Sequence, residues 1–185
     1  MSNEPLYDSL MIDLETLGES SYSVICSIAA VPFNMRTGKI GGYSFYETIS
    51  LESCLDAGLK IDASTFYWWQ KQPIEARTEI FGRPSLRLKV VLEMFVVYLQ
   101  NLRASDMELW SNGRRFDMGI LRDAFKAADM SIPWHFGNER DLRTLSSLKP
   151  EIKKQTPREG VAHNALHDCH YQIAYGTKIY QALNL

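Results

Sequence analysis

The apolar run Leu6 to Leu14 has the length of a β-strand, yet it ends in Asp13-Leu14-Glu15 instead of in turn residues, which come later at Gly18. Side chains alternate along a strand, so Asp13 and Glu15 emerge on one face while Ile12 and Leu14 point to the other. Two like charges held side by side repel, or one of them keeps its proton, unless a divalent cation lies between them. An isolated Asp-x-Glu pair is equally satisfied by decorating a strand exit. What decides between these readings is whether the rest of the chain supplies matching acids.

The segments after it set the fold class. Val24 to Phe33 is a second apolar run, and Tyr43 to Ile49 is rich in aromatic and β-branched residues. Between them Asn34 to Lys39 has turn chemistry, so the first three strands form an antiparallel meander. Leu51 to Gly82 reads as short helices broken at Gly58, Pro73 and Gly82, followed by a loop that ends in an N-cap at Ser85. Leu88, Val91, Leu92, Phe95, Leu99 and Leu102 then make a single apolar stripe at helical spacing. Glu108 to Ser111 is a fourth strand, closed by Asn112-Gly113, and a helix follows from about Phe116 to Asp129. Its apolar face, Leu121, Ala124, Phe125 and Ala128, extends backward by one turn onto Asp117. An acid near a helix start is also favoured by the helix dipole, but capping does not require it to lie in line with the apolar stripe. Arg140 to Leu148 opens another helix, Lys149 to Gly160 reads as a polar surface loop, and a last helix runs from an Asn164 N-cap to about Ala182. The order predicts an α/β fold with a mixed sheet flanked by helices, in a single domain spanning 1–185.

Charge narrows the partners. Twenty basic residues against 22 acidic ones leave a net charge of −2, so any polyanion is met locally and not by a general basic coat. Cys26, Cys54 and Cys169 have no paired spacing and read as reduced core thiols. Met1 to Pro5 has no leader-like pattern and no apolar run has bilayer length, which together predict a soluble, cytoplasmic protein. His163 and His167, four apart, allow a zinc site on one helical face, but the Glu of a His-Glu-x-x-His helix is missing. With Asn164 as the cap, His163 instead lies in the preceding loop, free to swing towards Asp168 in the first turns.

Asp13-x-Glu15, Asp117 after Asn112-Gly113-Arg114-Arg115-Phe116, and His163-x-x-x-x-Asp168 resemble, in order and context, the three motifs of DEDDh exonucleases. Over essentially its whole length the chain resembles a DnaQ-like 3'→5' exonuclease on a ribonuclease-H-like fold. Within that class it is most similar to the Rv2179c-like group of exoribonucleases, which also contains phage and prophage exonucleases. Ser64-Thr65 before Trp68-Trp69, and Arg140-Asp141-Leu142-Arg143-Thr144, are similar to that narrower group as well. The resemblance implies that Asp13, Glu15, Asp117 and Asp168 hold two Mg²⁺ or Mn²⁺ ions and that His163 is the general base. It implies single-stranded RNA or DNA 3' ends, or 3' overhangs, as substrate, with RNA favoured, and it allows a homodimer. Thr16, Leu17, Trp68 and Asn112 would then meet the terminal nucleotide. Trp68 and Trp69 point about 100° apart on a helix, so only one of them can face it. Arg114, Arg115, Lys153, Lys154 and Arg158 are either phosphate contacts or plain surface charge. A deoxyribonuclease of the same mechanism, and a catalytically silent nucleic-acid-binding module on the same fold, are the alternatives; a silent module has no chemical need for the complete set of acids and His163.

Overall fold

The computed structural model describes residues 7–185; Leu6 and the Met1 to Pro5 leader position lie outside them. The sheet contains β1 (Ser9–Thr16), β2 (Ile25–Phe33), β3 (Phe45–Thr48), β4 (Glu108–Ser111) and β5 (Glu139–Asp141). Its order is β3-β2-β1-β4-β5, with β1–β2 and β2–β3 antiparallel and β1–β4 and β4–β5 parallel. The helices are α1 (Leu51–Asp56), α2 (Ala63–Gln70), α3 (Ile74–Phe81), α4 (Leu88–Asn101), α5 (Asp117–Ala127), α6 (Leu142–Ser147), α7 (Pro150–Gln155) and α8 (Ala165–Ala182).

The strand alternation sorts the apolar residues into two cores. Leu10, Ile12 and Leu14 of β1 join Ile28 and Ala30 of β2 on one face, covered by residues of α1 to α5. Met11, Ala29, Val31 and Phe33 point the other way and pack against Leu142 and Leu145 of α6 and Cys169, Ile173 and Tyr175 of α8. Asp13 and Glu15 therefore fall on the α8 side of the sheet. All eight residues of β1 are buried, as suits the central strand.

Several expectations are corrected. Ser85 does not cap α4: the helix begins three residues later, and the Ser53 hydroxyl accepts the Leu88 amide at 2.8 Å. Leu102 is the C-cap residue and only partly buried, and Tyr98 shares the buried stripe. Glu139 to Asp141 is a strand, a polar one, paired in parallel with β4. Lys149 to Gly160 contains α7, started by Pro150 at its first position, where the missing amide costs nothing, and ended by basic residues that suit a helix C-terminus. The three cysteines are free and buried. No helix of the described residues is long and apolar enough to cross a membrane.

Candidate active site

β4 pairs with β1 only from Ser9 to Met11, after which the chain turns away at Asn112-Gly113. Gly113 has φ +133°, a conformation that side-chain-bearing residues rarely adopt. Beyond Met11, β1 keeps β2 on one side and is open on the other, at the C-terminal edge of the parallel pair. The first turn of α5 enters this opening, and Asp117 Oδ1 accepts the Leu14 amide at 3.4 Å, so the backbone between Asp13 and Glu15 helps to hold the third acid. From the opposite face α8 supplies Asp168. Its start is the expected one: the Asn164 side chain accepts the His167 amide at 3.0 Å.

Asp13, Glu15, Asp117 and Asp168 are thus brought to one cleft of about 530 Å³ together with His163. Each acid is at most 9% exposed. Ligand atoms of Glu15, His163 and Asp168 all lie within 4.8 Å of one another. Burial, and then repulsion from Asp117, Glu15 and Asp168, pushes the Asp13 carboxyl up. Glu15 is raised by burial and by Asp168 and Asp117. Burial lifts Asp117 to about 7. Burial also raises Asp168, against the opposing pull of Arg158, whose guanidinium forms an ion pair with it. Four inward carboxylates, of which only Asp168 has an ion-pair partner among the described residues, are poorly accommodated on their own. An all-oxygen donor set fits a hard divalent cation, and the buried Gln172 Oε1, which has no partner among the described residues, is one more acceptor turned away from water.

His163 lies in the loop before α8, as expected, and its ring packs against two tryptophans. Its backbone is left-handed, φ 62°, and its ring meets the edges of Trp68 and Trp69 at centroid distances of 4.8 and 6.0 Å. A non-glycine residue held in that region at a cleft is a small store of strain that its surroundings fix. Burial lowers the imidazole's affinity for a proton and Arg158 adds to this, while Asp168 opposes it; the net shift is downward, so the ring is neutral near pH 7. The zinc alternative fails here: His163 precedes the helix and shares no helical face with His167, whose Nδ1 accepts the Val161 amide at 3.0 Å.

Among the candidate substrate contacts, Thr16, Trp68 and Asn112 line the cleft. Leu17 does not. The β1–β2 register slips between Glu15 and Thr16, the alternation breaks, and Leu17 is fully buried with Ile12 and Leu14. Trp69 is buried as well, its Nε1 donating to Thr16 O at 2.9 Å, while Trp68 is 41% exposed. Lys153 and Arg158 reach the cleft, whereas Arg114 is committed to Glu139 at 2.8 Å. Arg143 entered the sequence reading only within the Arg140 to Thr144 likeness, and Glu19, Tyr171, Gln172 and Tyr175 had no place in it. The last three lie three, four and seven positions after Asp168, the helical spacing that keeps them on its face. A larger groove of about 1250 Å³ adjoins the cleft, sharing Glu19, Phe116 and Arg143 and lined also by Arg115, Lys126 and Phe136.

Known structures match this architecture. A 3'-exonuclease in a structure of 3'-end-specific recognition of histone mRNA stem-loop superposes with a TM-score of 0.67 at 12% identity, over 97% of this chain and 84% of that one. Cell-death related nuclease 4 (CRN-4) gives 0.63 at 16% identity, over 96% and 65%. The nuclease domain of 3'hExo, a DEDDh family member bound to rAMP, gives 0.62 at 14% identity, over 95% and 93%. At such identities the likeness is one of fold, the ribonuclease-H-like fold of these exonucleases. No curated protein matches the sequence. The family model of the 3'-5' exoribonuclease Rv2179c-like domain matches residues 8–180, nearly all of the chain that builds the sheet, the cleft and α8, and the protein belongs to that family of 3'-5' exonucleases.

Proposed function

We propose that the protein is a divalent-metal-dependent 3'→5' exonuclease that releases nucleoside 5'-monophosphates from single-stranded ends or 3' overhangs, with RNA as its preferred substrate. The observation that carries this is the meeting of Asp13, Glu15, Asp117, His163 and Asp168, drawn from β1, α5 and the start of α8, in one cleft. Mg²⁺ or Mn²⁺, as two ions held by the four acids, supplies Lewis-acid activation of the phosphodiester and acidification of the attacking water. A ring nitrogen of the neutral His163 takes that water's proton, and Trp68 and Trp69 hold the ring in place. Trp68, on the rim, offers a face for the terminal base, a contact worth about 1–3 kcal/mol. Thr16 favours ribose: its hydroxyl already donates to Gly18 O at 2.6 Å, so its oxygen is left as an acceptor, suited to a 2'-OH donor. The strand 5' to the cleaved bond leaves through the adjoining groove, past Arg115 and Phe136.

Digestion of matched 5'-labelled RNA and DNA oligomers, with Mg²⁺ or Mn²⁺ and with Asp13→Ala and His163→Ala as controls, tests the reading. A ladder shortening from the 3' end, faster on RNA and absent in EDTA and in Asp13→Ala, is expected. A faster DNA ladder replaces the ribose preference with a deoxyribonuclease. No cleavage of either strand by the folded protein makes it a binding module.

A further inference from the structure

Gln172 stands one helical turn beyond Asp168 on α8, in the wall of the cleft, and is only 4% exposed. Its Nε2 donates to Asp13 Oδ1 at 2.5 Å, and its Oε1 is buried without a partner among the described residues. An unpaired buried amide oxygen costs about 1–3 kcal/mol, and Met or Leu would fill nearly the same volume without that cost. Packing alone therefore gives no reason for an amide here. With Asp13 ionised, turning it over would set Oε1 against a carboxylate oxygen, two acceptors in contact. Asp13 faces the repulsion of Glu15, Asp117 and Asp168, and Gln172 is the one described side chain that donates to its carboxylate.

We propose that Gln172 is a positioning residue: by holding Asp13 Oδ1 it fixes the carboxylate against its acidic neighbours and keeps Oδ2 presented to a divalent cation. The inference rests on the metal-dependent reading above, and the test separates the two. Mn²⁺ binding is titrated calorimetrically, without substrate, for the unmodified protein, Gln172→Met, Gln172→Leu, Asp13→Asn and the Asp13→Asn/Gln172→Met double variant. Melting in EDTA reports on folding. Both Gln172 variants should weaken Mn²⁺ binding by about 10–100-fold, the range for residues that orient metal ligands, while melting no earlier than the parent. In the Asp13→Asn background, Gln172→Met should change the affinity less than about twofold, because the carboxylate that Gln172 presents to the cation is gone, although the amide oxygen in its place can still accept the hydrogen bond. Affinity unchanged in Gln172→Met and Gln172→Leu, with Asp13→Asn weakened, would overturn the positioning role and leave the nuclease reading intact. An equal loss with and without the Asp13 carboxylate would overturn it too. No Mn²⁺ binding by the parent protein would remove both.

Discussion

Replacing Asp117 by Asn should make the protein more stable and inactive, and the gain should depend on pH. Asp117 is 3% exposed and burial raises its carboxyl from the ordinary 3.8 to about 7. A group whose pKa is higher in the folded chain than in the unfolded one favours folding fully below the unfolded value, and that advantage is lost as pH rises through the folded value. Between those limits lie roughly three pH units at 1.36 kcal/mol each, so ionising Asp117 in place costs about 4 kcal/mol by pH 8 and about 1–2 kcal/mol by pH 5. Asn has the same shape, its oxygen still accepts the Leu14 amide, and it carries no charge. Asp117→Asn should therefore melt about 8–16 °C above the parent at pH 8 in EDTA, and by a much smaller margin at pH 5, at about 2–4 °C per kcal/mol. The assay is thermal unfolding in EDTA at the two pH values, with urea unfolding to check that the slope is unchanged. Saturating Mg²⁺ should close much of the gap by stabilising the parent, about 2.7 kcal/mol at a hundredfold excess over its dissociation constant. A variant no more stable than the parent at pH 8, or a margin that does not shrink at pH 5, would refute the idea that the acid cluster is a strained arrangement.

Other substitutions probe the supports around the acids. Trp69→Phe leaves Thr16 O without its donor and should cost about 1–3 kcal/mol of stability, read by urea unfolding, with kcat falling because the smaller phenyl ring supports the His163 imidazole less closely than the indole does. Arg158→Gln removes the positive charge from Asp168; calorimetry should show divalent binding tighter by roughly fivefold, about 1 kcal/mol for a partly exposed pair, while KM for oligomers rises. Glu139→Gln disturbs the carboxylate that accepts from Arg114, Arg122 and Trp134 and should cost about 1–3 kcal/mol. Burial raises that group, but its three donors outweigh it and hold its pKa low, so its contribution is present above about 4.5 and fades on acidification, the opposite pH dependence to Asp117. Arg115→Ala should weaken binding of a ten-nucleotide strand in Ca²⁺ and reduce the slope of log affinity against log salt by about 0.7.

The parts of the site that follow from a fixed period were legible in the sequence. Alternation put Asp13 and Glu15 on one face, the apolar stripe of α5 pointed back to Asp117, and the Asn164 cap separated His163 from Asp168. What escaped depends on partners distant in sequence. β5 is only Glu-Arg-Asp and becomes a strand because β4 offers a parallel edge and because Glu139 finds three donors. α7 hides behind Pro150 and Pro157, residues that mark loops as readily as the ends of a short helix. Leu17 was assigned to the substrate by likeness alone, and the register slip after Glu15, which no local pattern announces, turns it into the core. Gln172 was in principle readable, four residues after Asp168, but an amide gains meaning only once Asp13 is known to lie opposite.

The position of α8 also fixes the order in which activity can arise during folding. β1 meets β2 through a short connection but α8 only across about 150 residues, and that helix carries Asp168 and Gln172, with His163 at its threshold. Closing so long a loop is among the slower steps available to a chain of this topology. A partly folded molecule in which the sheet and α5 had formed while α8 remained undocked would bring together Asp13, Glu15 and Asp117 without Asp168 or His163. On the proposed function, such a molecule would have no nuclease activity until α8 docks.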